Sequence, residues 1–339
     1  MQLGNVQVNF LQAMRSAIRL CQQDADTLFG QFGLADLEQS HPDRRISIPH
    51  YMRLGHAAIE LTGHKELGLI MGQQTQLHHF GSLGFCAQSS ATLKDVLSVL
   101  ICYERLFSEN SRGHSRIIRA DNKTGFQFYS ISPYNDYNRF VVDAVIGGWL
   151  SFLQDCNGES IKNWNGASIE IEFAQPDYVS SYALWPVPVH FGMKQNILWL
   201  PDHIGDKVNQ FANPVSHQQM KQICLKQLEQ ITKGRNIQQQ VSELIAMHLT
   251  GQTPTLEFIS AEMQLEPWTL RRKLHKENSS FKALLDDTRK ALATRYIRDT
   301  HLSNGEISYL MGFSTPAAFQ KAFKRWHNLS PGQFRNQHR

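Results

Sequence analysis

The sequence predicts two domains of different class. Residues 1–212 read as a helix-rich α+β domain with a mainly antiparallel sheet, and residues 235–339 as an all-α domain with two helix-turn-helix motifs joined by a long helix. A linker helix at 213–234 lies between them. Three observations carry this division. The apolar period switches between 3–4 and 2 only in the first two-thirds of the chain. The charge is split: residues 235–339 hold 15 Lys and Arg against 9 Asp and Glu, a balance of +6, whereas the first 234 hold 19 against 21, or −2. Finally, one pattern of apolar and basic positions occurs twice in the basic segment.

In chain order, VNFLQAMRSAIRLCQQ, IPHYMRLGHAAIELTG and TLKDVLSVLICYERLFSE carry helical apolar spacing. HSRIIRADNKTGFQFYSISP reads as two strands joined around Asn122-Lys123-Thr124-Gly125. The apolar run FVVDAVIGGWLSFL, 140–153, is too short to span a bilayer and contains Asp143, so a buried helix is expected. GASIEIEFAQP alternates with period two, and VPVHFGMKQNILWLP reads as two short strands around a turn. The linker segment places Met220, Ile223, Cys224, Leu228 and Ile231 on one stripe, suited to linking or pairing, with Gly234 as its cap.

The basic segment begins its second unit at SNGEISYLM, where Ser303 and Glu306 have capping-box spacing and Gly312 ends the helix. Ser314 is expected to cap the next helix, whose first turn tolerates Pro316. Phe319, Phe323, Ala318, Ala322 and Trp326 then face inward, and Ala317, Gln320, Lys321, Lys324 and Arg325 outward. Ser330-Pro331-Gly332-Gln333 opens a short final helix. Sliding FISAEMQLEPWTLRRKLHKEN by 48 residues puts Ile259 on Ile307, Met263 on Met311 and Leu265 on Phe313. One further residue in the second turn puts Leu270 on Phe319 and Leu274 on Phe323. The same register pairs Arg271 with Gln320, Arg272 with Lys321, His275 with Lys324 and Lys276 with Arg325. The units therefore span about 256–277 and 304–327, with FKALLDDTRKALATRYIRD as the connecting helix.

A single such pattern is as easily a small helical bundle with solvated charge. Two in one register, both basic outside, point to double-stranded DNA, because an α-helix fits the major groove and cations nearby displace phosphate counterions. Trp268, Thr269, Arg271, Arg272, His275 and Lys276 are the candidate contacts of the first unit, and Thr315, Ala317, Gln320, Lys321, Lys324 and Arg325 those of the second. Arg and Gln pair with base edges, whereas lysines further along the helix suit phosphates.

No phosphate loop, nucleophile elbow or paired-histidine zinc motif occurs, so neither catalysis, a cofactor nor a metal site is expected. His78-His79 reads as an ordinary loop pair, and His190 as a strand histidine. Five scattered cysteines, Cys21, Cys86, Cys102, Cys156 and Cys224, fit reduced core thiols in a cytoplasm. The N-terminal stretch lacks signal-peptide character, and no membrane span is expected.

EISYLMGFSTPAAFQKAFKRWHNLSPGQFR resembles the C-terminal signature of AraC/XylS-type transcription regulators, and PWTLRRKLHKENSSFKALLDDTRKALA resembles the first unit of that domain with its connecting helix. Gln264, where the first turn often has glycine, and Ala318, where an aromatic is frequent, depart from the pattern. More diffusely, HHFGSLGFCAQSSATLKDVL and PVHFGMKQNILWLP resemble the effector domain of the branch that includes ornithine-utilisation regulators, rather than the jelly-roll domain of the arabinose regulator. The resemblance implies recognition helices in successive major grooves on one DNA face. It further implies a small-molecule effector, dimerisation through the N-terminal half, and RNA polymerase as a partner if the protein activates. Phe80, Phe85, Tyr103, Phe107, Phe126, Phe128, Trp149 and Phe152 are candidate pocket aromatics, each more often simply core. Two rival readings stay open: an N-terminal domain that binds a partner protein, and an enzyme with a DNA-binding appendage.

Overall fold

A computed structural model describes residues 4–36, 44–110, 114–129, 134–158, 164–232, 236–249, 251–300 and 302–337. The chain divides into two compact units, one built from Asn5–Glu109 and His114–Ile231, the other mainly from Thr232–Arg339. Gly234, expected as a cap, lies outside the described residues.

The first unit begins with β1 (Gly4–Gln7), α1 (Leu11–Leu20) and α2 (Ala25–Gln31). Next come β2 (Arg45–Ser47), α3 (Ile48–Thr62), α4 (Leu67–Gln74), α5 (Gly81–Gln88), α6 (Leu93–Cys102) and β3 (Ser108–Asn110). The hairpin β4 (Arg116–Ala120) and β5 (Lys123–Phe128) leads into α7 (Arg139–Asn157). The unit closes with β6 (Ser168–Glu170), β7 (Val189–His190), β8 (Asn196–Pro201), α8 (Asp202–Gly205) and α9 (Pro214–Thr232). Strands β2-β1-β3 form one sheet and β4-β5-β8-β6-β7 another. Every pairing in the larger sheet is antiparallel except β6 with β7.

Local signals fix the helix ends. Asp24 accepts from the amides of Asp26 and Thr27 to start α2, and Ser47 accepts from His50 to start α3. α3 and α7 stop at Gly63 and Gly158, both at φ 71°, a left-handed conformation glycine adopts at little cost. The core centres on a backbone-close crossing of α4 and α7. A Cβ on Gly72 would stand 2.7 Å from Gly147 Cα, and one on Gly68 2.6 Å from the Phe140 carbonyl oxygen. The apolar run at 140–153 thus forms a buried helix with Asp143 inside it, fully buried.

Three local expectations change. The β4–β5 turn sits at Asp121-Asn122, because Ala120 pairs with Lys123 and Asn122 takes the left-handed conformation at φ 55°. α6 ends at Cys102, and its expected last turns become a 3-10 turn, Glu104–Leu106, followed by β3. β7 and β8 are strands, but not neighbours: β6 lies between them, bonded parallel to β7 and antiparallel to β8. The stripe on α9 also has a different partner. Cys224 is fully buried in the first unit's core, and Met220, Leu228 and Ile231 pack against it, leaving only Ile223 outward. That face is packed within its own chain. Among the cysteines, Cys86, Cys156 and Cys224 are buried, Cys21 is half-buried and Cys102 is exposed.

The second unit is all helical: α10 (Ile237–His248), α11 (Leu256–Glu262), α12 (Pro267–Lys276), α13 (Phe281–Asp299), α14 (Asn304–Leu310), α15 (Pro316–His327) and α16 (Pro331–Gln337). α11–α12 and α14–α15 are the helix-turn-helix units, and the 19-residue α13 joins them. At 1.5 Å per residue α13 is about 28 Å long, comparable to the roughly 34 Å repeat of duplex DNA. Its side chains Leu284, Thr288, Leu292, Ala293, Tyr296 and Ile297 are buried at helical spacing, so the connector is the spine of this core.

Candidate functional site

The two turns are built alike, bond for bond. Leu265 N–H donates to the Ser260 carbonyl (2.9 Å) and Phe313 N–H to the Ser308 carbonyl (3.1 Å). Gln264 N–H reaches Ala261 (3.0 Å), and Gly312 N–H reaches Tyr309 (2.8 Å). These paired bonds close a helix in a left-handed turn. Gln264 and Gly312, 48 residues apart, occupy it at φ 54° and 64°. Gln264 therefore keeps the glycine-type turn, at the modest strain of a non-glycine left-handed residue. The starts match as well: Thr255 caps α11 and Ser303 caps α14, while Pro267 and Pro316 open the second helices. Thr315, rather than Ser314, caps α15, accepting from Ala318 N–H at 3.2 Å. Ser314 precedes the cap by one position, and that is where the second unit's extra residue sits.

Leu270, Leu274, Phe319 and Phe323 are buried to within 1%. Of the twelve candidate contacts, Thr269 is half-buried and the other eleven are exposed. The exposed Trp268 indole (60%) lies beneath the Arg272 guanidinium, 5.1 Å from ring centroid, on the outer face of α12. Two candidates have prior engagements. The Thr315 hydroxyl oxygen serves as the cap, and one Nη of Arg325 donates to both carboxylate oxygens of Asp286 of α13 (2.8 and 3.0 Å). Asp286 also accepts from Trp326 Nε1 at 3.1 Å, so Arg325 holds α15 to the connector.

Sequence reading missed Arg289. From α13 its Nε donates to the Met311 carbonyl (2.8 Å) and an Nη to the Gly312 carbonyl (2.9 Å), while the guanidinium covers Phe313 at 4.7 Å. Burial lowers its pKa from the ordinary arginine value. A cation placed on the last carbonyls of α14 fixes the second turn against the connector. Only its position within a run already assigned as helix could have singled it out.

All the aromatic candidates of the first unit except Phe85 lie in one apolar core or pack against it. Phe80 and Phe107 meet edge-on (5.0 Å), with Phe10 and Phe152 around Phe80. Phe128 and Trp149 meet edge-on in the same core (6.2 Å). Tyr103 and Phe126 are core, and Phe85 is exposed. A different set converges. The buried Asp143 accepts from Tyr182 Oη at 2.6 Å and from Tyr178 Oη at 2.8 Å, and Trp185 packs edge-on against Tyr182 at 4.9 Å. Burial pushes Asp143 up to about 7, against the opposing pull of the two hydroxyls and nearby Arg139. The signal for it was a carboxylate inside an apolar run. His78 and His79 stack edge-on at 4.6 Å, and burial lowers His79 to about 4. His190 is exposed. Among the described residues no group of three metal-ligating side chains occurs, and no helix is long and apolar enough to cross a membrane.

Two helix-turn-helix units with exposed cationic faces on one connector define a DNA-binding transcription regulator. The chain belongs to the AraC family of transcription regulators. Residues 23–207 match the family model described as the arabinose-binding domain of AraC transcription regulator, N-terminal, and residues 259–337 match a helix-turn-helix domain. Its fold here, helices with a three- and a five-stranded sheet, is not the double-sheet jelly roll. The ornithine utilization regulator of Pseudomonas aeruginosa is 25% identical over 295 residues, 87% of this chain and 85% of that protein. The urease operon transcriptional activator of Escherichia coli is 38% identical over 96 residues, 27% of this chain and 32% of that protein. The crystal structure of transcriptional regulator CdpR from Pseudomonas aeruginosa aligns over 91% of this chain and 97% of that one, at 18% identity and a TM-score of 0.42.

Proposed function

We propose that the protein is a cytoplasmic, effector-controlled regulator, divided into a sensing unit (1–212), a linker helix (213–234) and a DNA-reading unit (235–339). The observation that carries the DNA-reading half is the bond-for-bond repetition of one turn, with a cationic exposed helix after each copy. Arg271, Arg272 and Gln320 read base edges; His275, Lys276, Lys321 and Lys324 hold phosphates; Trp268, Thr269 and Ala317 line the entering ends. Thr315 and Arg325 serve the geometry first, and contact DNA only as the cap and the Asp286 pair permit.

A small molecule bound in the first unit shifts the population of domain arrangements, and so how well both recognition helices engage together. The buried Asp143–Tyr178–Tyr182 set supports a seat there, since a carboxyl in an apolar core is costly and perturbed groups cluster at functional sites. The ornithine utilization regulator's name makes a small metabolite the natural class to test. The protein works as a homodimer joined through the first unit, and contacts RNA polymerase where it activates. Selection of bound duplexes from a random DNA library, with and without a panel of amino acids and amines, tests this reading. Enrichment of a defined motif, altered by one of the compounds, is the expected result; an unenriched library refutes the DNA-reading half, and a motif indifferent to every compound and to all cell extract refutes the effector half.

A further inference from the structure

Trp268 leaves its large indole in solvent, although tryptophan is ordinarily well buried. The core side of α12 is supplied by Leu270 and Leu274, both buried. At about 100° per residue, Arg272 projects roughly 200° from Leu270 and so marks the middle of the outward face. Trp268, four residues earlier, lies on that same face one turn below, and Pro267 presets the turn from which the indole projects. The guanidinium carbon stands 5.1 Å from the ring centroid, within the range of a cation over an aromatic face. A guanidinium that packs on a ring does so with its flat side and keeps its N–H donors, which lie in the plane, for other partners. Among the described residues the Arg272 donors have no other engagement. Those of Arg289 bond carbonyls, and those of Arg325 bond Asp286. The second unit lacks the pair. In the register that aligns Leu270 with Phe319, Trp268 falls on Ala317 and Arg272 on Lys321. A methyl group offers no ring, and an ammonium is a point charge without a fork.

We propose that Trp268 is a positioning residue for Arg272: the indole is a shelf that holds the guanidinium out over the face of α12, and so concentrates base discrimination in the first helix-turn-helix unit. The inference rests on the DNA-reading half of the proposed function and goes beyond it by ranking the two units. A free arginine loses much rotamer freedom on docking, and one already confined by a ring loses less. The gain falls on paired hydrogen bonds to the O6 and N7 edge of guanine, which require the fork at one angle. It does not fall on phosphate contacts, which carry no sequence information. Trp268 therefore acts on specificity, and acts through Arg272. In the second unit Lys321 has neither shelf nor fork and supplies charge to the groove, where base reading is left to Gln320.

Competition binding of the full-length protein tests this by scoring the preference at every position of its selected site. The proteins compared are the wild type, Arg272→Ala, Trp268→Ala, Trp268→Phe and the double alanine variant. At the base pair where Arg272→Ala loses its preference, Trp268→Ala should lower discrimination at least about threefold, as for an exposed cation–ring contact. Other positions and the salt slope should stay unchanged. Trp268→Phe keeps a ring and should retain most of the preference. The double variant should discriminate like Arg272→Ala alone, because the indole acts only through the guanidinium. Circular dichroism checks that each variant folds, as substitutions on an exposed face should allow. Full preference in Trp268→Ala or in Arg272→Ala, a loss at a different base pair or equally at all of them, or a loss that adds to that of Arg272→Ala overturns the proposal while the DNA-reading assignment stands. So do alanine and phenylalanine variants that behave alike. A wild-type protein that selects no site overturns both.

Discussion

Replacing Arg289 by alanine should selectively loosen the second helix-turn-helix unit. The substitution removes three charge-assisted hydrogen bonds, to the Met311 and Gly312 carbonyls and the Thr253 hydroxyl, and the cation over the Phe313 ring. Bonds from a charged donor contribute about 1.5–3 kcal/mol each, and because Arg289 is only half-buried, water takes over part of their role. The lower end for each carbonyl bond gives about 3 kcal/mol in total, the exposed Thr253 bond passing to water and the ring contact roughly offset by hydration of the freed carbonyls. For a domain of roughly a hundred residues this lowers the thermal midpoint by about 12 °C. Arg289→Lys supplies one point charge that cannot bridge both carbonyls, and should recover about half of the loss. Calorimetry of the full-length chain reads the effect as a fall in one transition, with the first unit's transition unmoved. A fall below about 4 °C for alanine, or full recovery by lysine, would show that the turn holds without this clamp.

Four further outcomes are expected. Arg272→Ala and Gln320→Ala should each relax base preference at their own positions by about 1–3 kcal/mol, whereas Lys276→Ala should weaken all sites about equally and lower the salt slope by about one unit; binding to a variant library at several salt concentrations separates the two. Asp143 rises from 3.8 to about 7 on folding, so the folded chain keeps a proton that the unfolded chain releases, and stability is lost as pH rises from about 4 to about 7. Between pH 5 and 7.5 that loss is about 2–3 kcal/mol, and urea titrations of Asp143→Asn should show a correspondingly flatter pH dependence; parallel curves for the two proteins would remove the buried-acid assignment. Sedimentation of the full chain at tens of micromolar should give a dimer that persists when the α9 stripe residue Leu228 is changed to alanine, because that stripe is packed within its own chain; a pure monomer would contradict the dimer itself.

The repeated unit was legible because its signals are local. Caps, a left-handed turn residue and two buried apolar positions per helix all lie within about twenty residues, and the 48-residue register survives into the hydrogen bonds. Contacts between distant segments left no such trace. Asp143 meets Tyr178 and Tyr182, 35 and 39 residues later, and nothing in either stretch announces the other. The Arg325–Asp286 pair, 39 residues apart, was likewise hidden, so Arg325 read as one more outward cation. The α9 stripe was visible, but periodicity shows only that a face is buried, and not against what. The same ambiguity affected β7 and β8: each strand was recognisable, while the insertion of β6 between them depends on pairing that alternation cannot specify. Aromatic content marks core and pocket residues alike, and so it named members of one apolar core without separating a pocket from it.

The central claim is that two copies of one turn, held on a single 19-residue connector, read DNA together. The most direct measurement is the base preference along a selected site, obtained by scoring every single substitution for its effect on binding of the full-length protein. Two clusters of preferred bases centred about 10 bp apart, one helical turn, on the same face of the duplex are predicted. A single contiguous cluster, or two clusters on opposite faces, would contradict the account.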